Sequence, residues 1–263
     1  MTRVAVLGAG GRMGRTVCQA VVDAPDLQLV AAVDPNHEGR SLEELGVAGC
    51  DLTVLGGLGD LASAEPEVAV DFTHAVAAAG NLRWCGVNGV HAVVGTTGLS
   101  PGDLADLAAL FNGVRCNAVV APNFAIGAVL MMRLAELAAP WFESAEIVEL
   151  HHDQKIDAPS GTALLTAERM AKASPEWAAD PTEKEALEGA RGGVSPGGIR
   201  VHSVRLRGLV AHQEVLLGTT GQSLSIRHDS YDRTSFMPGV LLAVRQVASR
   251  PGLTIGLDAL LGI

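Results

Sequence analysis

Two histidines, a lysine and two aspartates fall within seven residues: His151, His152, Asp153, Lys155 and Asp157. Pro159, Ser160, Gly161 and Thr162 follow at once, and residues 163–170 (ALLTAERM) have the composition and apolar spacing of a helix. A small hydroxyl residue just before an apolar-periodic run is a helix N-cap signal. The unpaired N–H groups of that first turn, with the helix dipole behind them, favour an anion. Histidine exchanges protons near neutral pH, and a lysine beside an anion site can donate one. The chemistry implied is a carboxylate or phosphate cradle with proton donors at its lip. A solvated polar loop leading into an ordinary helix start would have the same composition, so the rest of the chain has to decide between them.

The elements around this stretch are legible. Residues 145–150 (AEIVEL) alternate as a half-buried strand does and deliver the chain to His151. At the N-terminus, residues 3–7 (RVAVL) form an apolar strand that runs into Gly8, Ala9, Gly10, Gly11, Arg12, Met13 and Gly14. Residues 15–22 follow as helix, and residues 27–33 (LQLVAAV) as a second strand ending in Asp34. Strand, glycine turn, helix, strand and acid in this order describe a dinucleotide-binding βαβ unit. Met13 stands where a strict GxGxxG has its third glycine, so the spacing is GxxGxxG through Gly8, Gly11 and Gly14. Asp34 is placed to accept from a ribose 2′-hydroxyl, and Pro35, Asn36 and His37 after it include no arginine for a 2′-phosphate. NADH is therefore favoured, with NADPH left open because Arg12 could reach an extra phosphate.

Further apolar runs at 52–55, 68–72, 91–95 and 116–121, several separated by helical patterns, predict a Rossmann-type doubly wound parallel sheet in an α/β domain. Ligands of such sheets sit at the carboxyl ends of the strands. Two polar turns follow such ends: Gly95, Thr96, Thr97 and Gly98, then Ala121, Pro122, Asn123 and Phe124. Residues 126–139 lead onward as a helix whose Met131 and Met132 suit a core. The pattern then changes. A polar segment at 174–198 precedes strands at 199–206, 214–218 and 223–227, the last two joined by a hairpin turn at 219–222. This predicts a C-terminal α+β domain with a mixed or antiparallel sheet. A final helix at 234–248, with Pro238 in its first turn, should return to the first domain. The expected organisation is a dinucleotide-binding domain, 1–124 plus 233–263, and a domain for substrate and oligomerisation, 125–232.

Bulk properties bound the partners. The net charge of −10 argues against nucleic acid or an anionic membrane surface. No apolar run approaches the roughly 20 residues of a membrane span. The chain enters a strand from its first residues, so no signal peptide and a soluble, cytoplasmic protein are expected. Aromatics are only 3%, so Val, Leu, Ala and Ile must fill the core. Cys18, Cys50, Cys85 and Cys116 show neither CxxC nor metal spacing and read as buried free thiols. No metal is expected, since HExxH is absent and the HHxxK run offers only two good ligands. No cysteine sits in a turn suited to an activated thiolate. Two plans are left, the first of them hydride transfer to a small acid. The chain is a nicotinamide-dependent reductase, or a nucleotide-sensing protein that binds the coenzyme without turnover.

The run Glu146–x–x–Glu149–x–His151–x–x–x–Lys155–x–Asp157–x–Pro159–Ser160–Gly161–Thr162–Ala163 resembles the signature of the dihydrodipicolinate reductase family, enzymes of the diaminopimelate route to lysine. The glycine loop, Asp71-Phe72-Thr73 and the turns at 95–98 and 121–124 are similar to the family's other motifs, in the same order along the chain. The resemblance implies reduction of 4-hydroxy-tetrahydrodipicolinate to tetrahydrodipicolinate, with loss of water, by NADH or NADPH. It implies His151 as proton donor and acceptor and Lys155 as proton donor. His152, Ser160, Gly161 and Thr162 would hold the dicarboxylate substrate. The coenzyme would be held by Gly8, Ala9, Gly10, Gly11, Arg12, Met13, Asp34, Gly95, Thr96, Thr97, Ala121, Pro122, Asn123 and Phe124. A homotetramer assembled through the second domain's sheet is implied as well. His212 and Arg233 are polar residues near the site-forming elements to which no role attaches.

Overall fold

The computed structural model describes every residue except Thr97, and the chain divides into two compact units, 1–124 with 236–263 and 125–235. The first unit is built on six parallel strands. In chain order its elements are β1 (Thr2–Leu7), α1 (Arg12–Asp23), β2 (Leu27–Val33), β3 (Val68–Asp71), α2 (Ala75–Asn88), β4 (His91–Val94), α3 (Pro101–Asn112) and β5 (Ala118–Val120). The second unit follows with α4 (Ile126–Ala138), β6 (Ser144–His151), α5 (Gly161–Ala173), β7 (Gly193–Val194), β8 (Arg200–Arg205), β9 (Ala211–Thr219) and β10 (Gln222–Ser230). The chain then completes the first unit with α6 (Met237–Gln246), β11 (Leu253–Ile255) and α7 (Asp258–Leu261).

The strand order β11-β5-β4-β3-β1-β2 reverses between β1 and β3, which makes that point the binding crevice of a doubly wound sheet. Val4, Ala5, Val6 and Leu7 in β1 are all buried, as are Val68, Ala69 and Val70 in β3. Strands covered on both faces have no reason to alternate, and these do not. Asn117 ties in the returning C-terminal segment: its side chain donates to the carbonyls of Val247 and Ala248 and accepts from the Gly252 amide.

The expected strand at 52–55 is not one. Leu55 bridges Val33 and Thr53 bridges Ser41, each as an isolated pair. The two residues serve different neighbours on opposite sides of the segment, so no ladder develops, and no α-helix joins β2 to β3 among the described residues. The helix expected to be final, at 234–248, is shorter than its pattern, because residues 233–236 and 247–249 tighten into 3₁₀ turns at its two ends, and β11 and α7 follow it. Pro238 lies in the first turn of α6, where a missing N–H costs nothing.

The second unit's sheet has the order β10-β9-β6-β8-β7, with β6 and β8 parallel and the other pairs antiparallel. It is therefore mixed. On one face Ile147, Val201, Val215 and Leu217 pack with Ala135 of α4 and Ala163, Ala167 and Met170 of α5. The spacing 163, 167, 170 is one stripe of a helix. That packing fixes where the first turn of α5 lies relative to the end of β6.

Candidate active site

The glycine loop follows β1. Gly8 has φ +79, which places its backbone in the left-handed region that a side chain disfavours. Gly14, inside α1, lies so close to the loop that a Cβ there would sit on the Gly8 carbonyl oxygen. The helix can therefore start directly beneath the turn. Its N-cap is Gly11, with no side-chain cap and no acidic residue in the first turn among the described residues. First-turn amides have no partner within a helix. The N-terminus of α1 is thus an uncapped donor cluster of the type that takes a pyrophosphate.

Asp34 is almost fully buried, and its carboxylate accepts from the Gly10 amide (3.0 Å) and the Asn36 amide (3.0 Å). Beyond any part in ribose recognition, this acid shapes the glycine loop itself, a contact the sequence spacing did not reveal. His37 Nδ1 lies 3.3 Å from it. Arg12 is exposed at the start of α1.

Asp71, at the end of β3, is a second organiser that sequence reasoning noted only as part of a motif. It is buried, and its carboxylate accepts from the Thr73 amide (2.8 Å), the Thr73 hydroxyl (2.6 Å), the Thr96 hydroxyl (3.2 Å) and Asn81 Nδ2 (2.7 Å). The loop after β3, the turn after β4 and the helix α2 are thereby tied to one side chain. Gly95 and Thr96 belong to this cluster, whereas Thr97 lies outside the described residues. Ala121 and Phe124 are buried, and the Phe124 ring packs on Phe72 at 5.9 Å between centroids. Pro122 is exposed and Asn123 half-buried.

In the second unit, β6 ends at His151 and the chain turns through His152 to Asp157 before entering α5. The Ala158–Pro159 peptide is cis. Ser160 is the N-cap of α5: its Oγ accepts from the Ala163 amide at 3.2 Å, a cap worth about 1 kcal/mol. That hydroxyl keeps its own proton to donate. The first turn contains no acid among the described residues. Gly161 is exposed and Thr162 half-buried at this helix start.

The polar centre of the loop is Glu149, which is 0% exposed. Arg205, from β8, grips it with two bonds, Nη2 to Oε1 at 2.8 Å and Nη1 to Oε2 at 2.9 Å. The Ser160 amide reaches Oε1 at 3.2 Å, and His151 Nδ1 lies 2.5 Å from Oε2. Arg205 also donates to the Asp157 carbonyl at 2.6 Å. Burial works to raise the Glu149 pKa, but hydrogen bonds from Arg205, Ser203 and His151 outweigh it and hold the carboxyl below its ordinary range. Burial, with Lys155 and Arg205 nearby, lowers the His151 pKa against the pull of Glu149. Lys155 Nζ pairs with both oxygens of Asp157, at 2.7 and 2.8 Å, and that pairing keeps the Asp157 carboxyl low.

Sequence reasoning placed no role on Arg205 and none on Glu149 beyond the motif. The signal for the pair was a glutamate on the same face of β6 as Ile147, since a charge on a core face needs a partner. His152 is exposed. His212 is buried on β9, its Nδ1 2.7 Å from Asp229 and its Nε2 accepting from the Val210 amide at 3.1 Å. Arg233 is exposed in the turn at 233–236. All four cysteines are buried, and burial pushes the Cys18 and Cys85 thiols up to about 12, which leaves them inert.

Residues 2–124 match the family model described as dihydrodipicolinate reductase, N-terminus, and residues 127–261 the one described as dihydrodipicolinate reductase, C-terminus. The chain is 50% identical to the 4-hydroxy-tetrahydrodipicolinate reductase of Nocardia farcinica and 51% identical to that of Mycobacterium ulcerans, covering 99% of each chain in both comparisons. A solved structure of dipicolinate-bound dihydrodipicolinate reductase from Paenisporosarcina sp. TG-14 superimposes with a TM-score of 0.87 at 42% identity, over 98% of this chain and 99% of that one. An uncapped dinucleotide-type helix start in one unit, a proton-bearing loop at a second helix start in the other, and these likenesses along the whole length agree: the chain belongs to the dihydrodipicolinate reductase family.

Proposed function

We propose that this protein reduces 4-hydroxy-tetrahydrodipicolinate to tetrahydrodipicolinate, with NAD(P)H and a proton consumed and NAD(P)⁺ and water released, in the diaminopimelate route to lysine. The observation that carries the reading is the loop from His151 to Thr162. The His151 imidazole and the capped start of α5 meet on the buried Glu149 carboxylate, and the Lys155 ammonium is held on Asp157 in the same loop, which suits a doubly negative substrate awaiting a proton.

The second unit's residues bind and protonate. The first-turn amides of α5 at Gly161 and Thr162, with the hydroxyls of Ser160 and Thr162, hold one substrate carboxylate. His152, exposed on the loop, contacts the substrate. Lys155 gives the proton that accompanies reduction, and its pairing with Asp157 keeps the ammonium at the loop until substrate arrives. His151 takes or gives a proton as the 4-hydroxyl leaves.

The first unit's residues hold the coenzyme. Its pyrophosphate fits the α1 N-terminus, since nothing caps that end among the described residues and glycine at 14 lets the loop lie against the helix. Gly8, Ala9, Gly10, Gly11, Arg12 and Met13 form this cradle, with Asp34 at the ribose and the turns at 95–97 and 121–124 toward the nicotinamide. When bound there, the dihydronicotinamide supplies a hydride to the substrate ring. Asp34 favours NADH, and Arg12 allows NADPH. Assembly as a homotetramer through the second unit's sheet is supported by its other face, where Val148, Leu150, Val204 and Leu216 are all partly exposed. A cytoplasmic location suits these substrates.

The test is coupled turnover with the freshly generated pathway intermediate, using each coenzyme in turn. Oxidation of either coenzyme, faster with NADH, is expected. Turnover with other acids but not with this one would point to a different dehydrogenase. Tight NADH binding without turnover would leave the sensor reading.

A further inference from the structure

We propose that Glu149 is the positioning residue of the proton-transfer centre: its buried carboxylate fixes the His151 proton on Nδ1 and leaves Nε2 as the atom that exchanges protons with substrate. The proposal rests on the reading of His151 as a proton carrier.

An ionised carboxylate only accepts hydrogen bonds. Both oxygens of Glu149 are surrounded by donors: Arg205 Nη2 and the Ser160 amide on Oε1, Arg205 Nη1 and His151 Nδ1 on Oε2. With Nδ1 only 2.5 Å from Oε2, a lone pair on that nitrogen would face a lone pair on the oxygen, so the proton must lie on Nδ1. In neutral His151 the lone pair is then on Nε2, and any proton it accepts arrives there. The same carboxylate receives the amide of the N-cap residue of α5, and Arg205 reaches on to the Asp157 carbonyl. One buried group therefore sets the ring orientation of His151 and its position relative to the helix start.

The charges around His151 explain why the carboxylate has a partner of its own. Glu149 and Arg205 neutralise one another, so the imidazole is oriented without being held permanently protonated. The charged groups facing it are Glu149, Arg205 and Lys155, with Asp157 one step away through Lys155. Their sum, with burial, lowers the His151 pKa, and a neutral imidazole with a basic Nε2 is the resting form near neutral pH.

The first measurement leaves Glu149 in place. Nitrogen-15 spectra of histidine-labelled, substrate-free protein, with His151 assigned by its loss in His151→Asn, should show a protonated Nδ1 and an unprotonated Nε2. The reverse tautomer overturns the proposal. In Glu149→Gln a carboxamide N–H can face Nδ1 and invert the tautomer. Turnover should then fall about 100-fold or more, while KM for substrate and Kd for NADH stay within about threefold. The same substitution added to His151→Asn should cost little more. An inverted tautomer with unchanged turnover would remove His151 from the proton path and sink the functional reading, leaving the tautomer assignment standing. Where Glu149→Gln does not fold, Arg205→Lys keeps the carboxylate charged against His151 and should retain the Nδ1 proton; loss of it there refutes the role of Glu149.

Discussion

Replacing Arg205 with Met tests whether the centre of the loop is an ion pair that burial has made indispensable. The substitution keeps a long side chain but leaves Glu149 fully buried without its two charge-assisted bonds. Breaking a buried pair from one side costs about 3–5 kcal/mol when the remaining charge stays charged. Glu149 has an escape: it can take up a proton. At pH 7 this lies about 2.7 units above the ordinary glutamate value of about 4.3, and at about 1.4 kcal/mol per unit it costs about 3.7 kcal/mol. The loss in the variant should therefore be about 3–4 kcal/mol at pH 7, and it should depend on pH. A carboxyl whose folded-state pKa exceeds its unfolded value binds its proton more tightly when folded, so the variant loses stability as pH rises above about 4.3. In the wild-type protein the Glu149 pKa is depressed, and its contribution is present at neutral pH and lost only as pH falls through the folded value. The gap between the two proteins should shrink to about 1.6 kcal/mol at pH 5.5, and a protonated His151 beside Glu149 would narrow it further. Native-state hydrogen exchange of the β6 amides, corrected for intrinsic rates, reads the second unit by itself. A gap below about 1 kcal/mol at pH 7, or one that does not change between pH 7 and 5.5, refutes the reasoning.

Lys155→Ala should lower kcat about 100-fold or more while changing KM far less, because the proton is needed only as the bond forms; single-turnover kinetics with unchanged kcat would take Lys155 out of the mechanism. Gly14→Ala puts a methyl group on the Gly8 carbonyl, so the loop must move away from α1. NADH affinity by fluorescence titration should fall about tenfold or more while exchange protection in α5 and β6 stays as it was, and wild-type affinity would show that the loop holds no pyrophosphate. Asp71→Asn sets an amide donor against the donors of Thr73, Thr96 or Asn81. A destabilisation of about 1–3 kcal/mol with weaker NADH binding is expected; unchanged thermal unfolding and KM would deny Asp71 its organising part.

What could be read from the sequence were the features whose cause lies within a few residues. A strand, a glycine turn and a helix start are local, and so is the Pro159-Ser160-Gly161 entry to α5, where Ser160 caps as its type and position require. The hairpin between β9 and β10 was equally plain, since a Thr-Gly turn between two alternating runs has few other uses. The three-residue β11 was not legible, because it is a strand only through its pairing with β5. Residues 52–55 erred in the other direction, with strand composition but no continuous neighbour. The site divides in the same way. His151, Lys155 and Ser160 lie in one short run and announce their chemistry together. Arg205 arrives from β8, where the parallel register sets it opposite His151, and nothing near it in sequence distinguishes it from Arg207. Yet half of that partnership was visible. On β6, Ile147 and Glu149 must share a face, and a carboxylate on the face that builds the core can remain charged only if a cation comes to it. The alternation of one strand therefore calls for a guanidinium or ammonium group whose identity only the folded sheet can reveal, and that demand links the stability of the second unit to the orientation of its histidine.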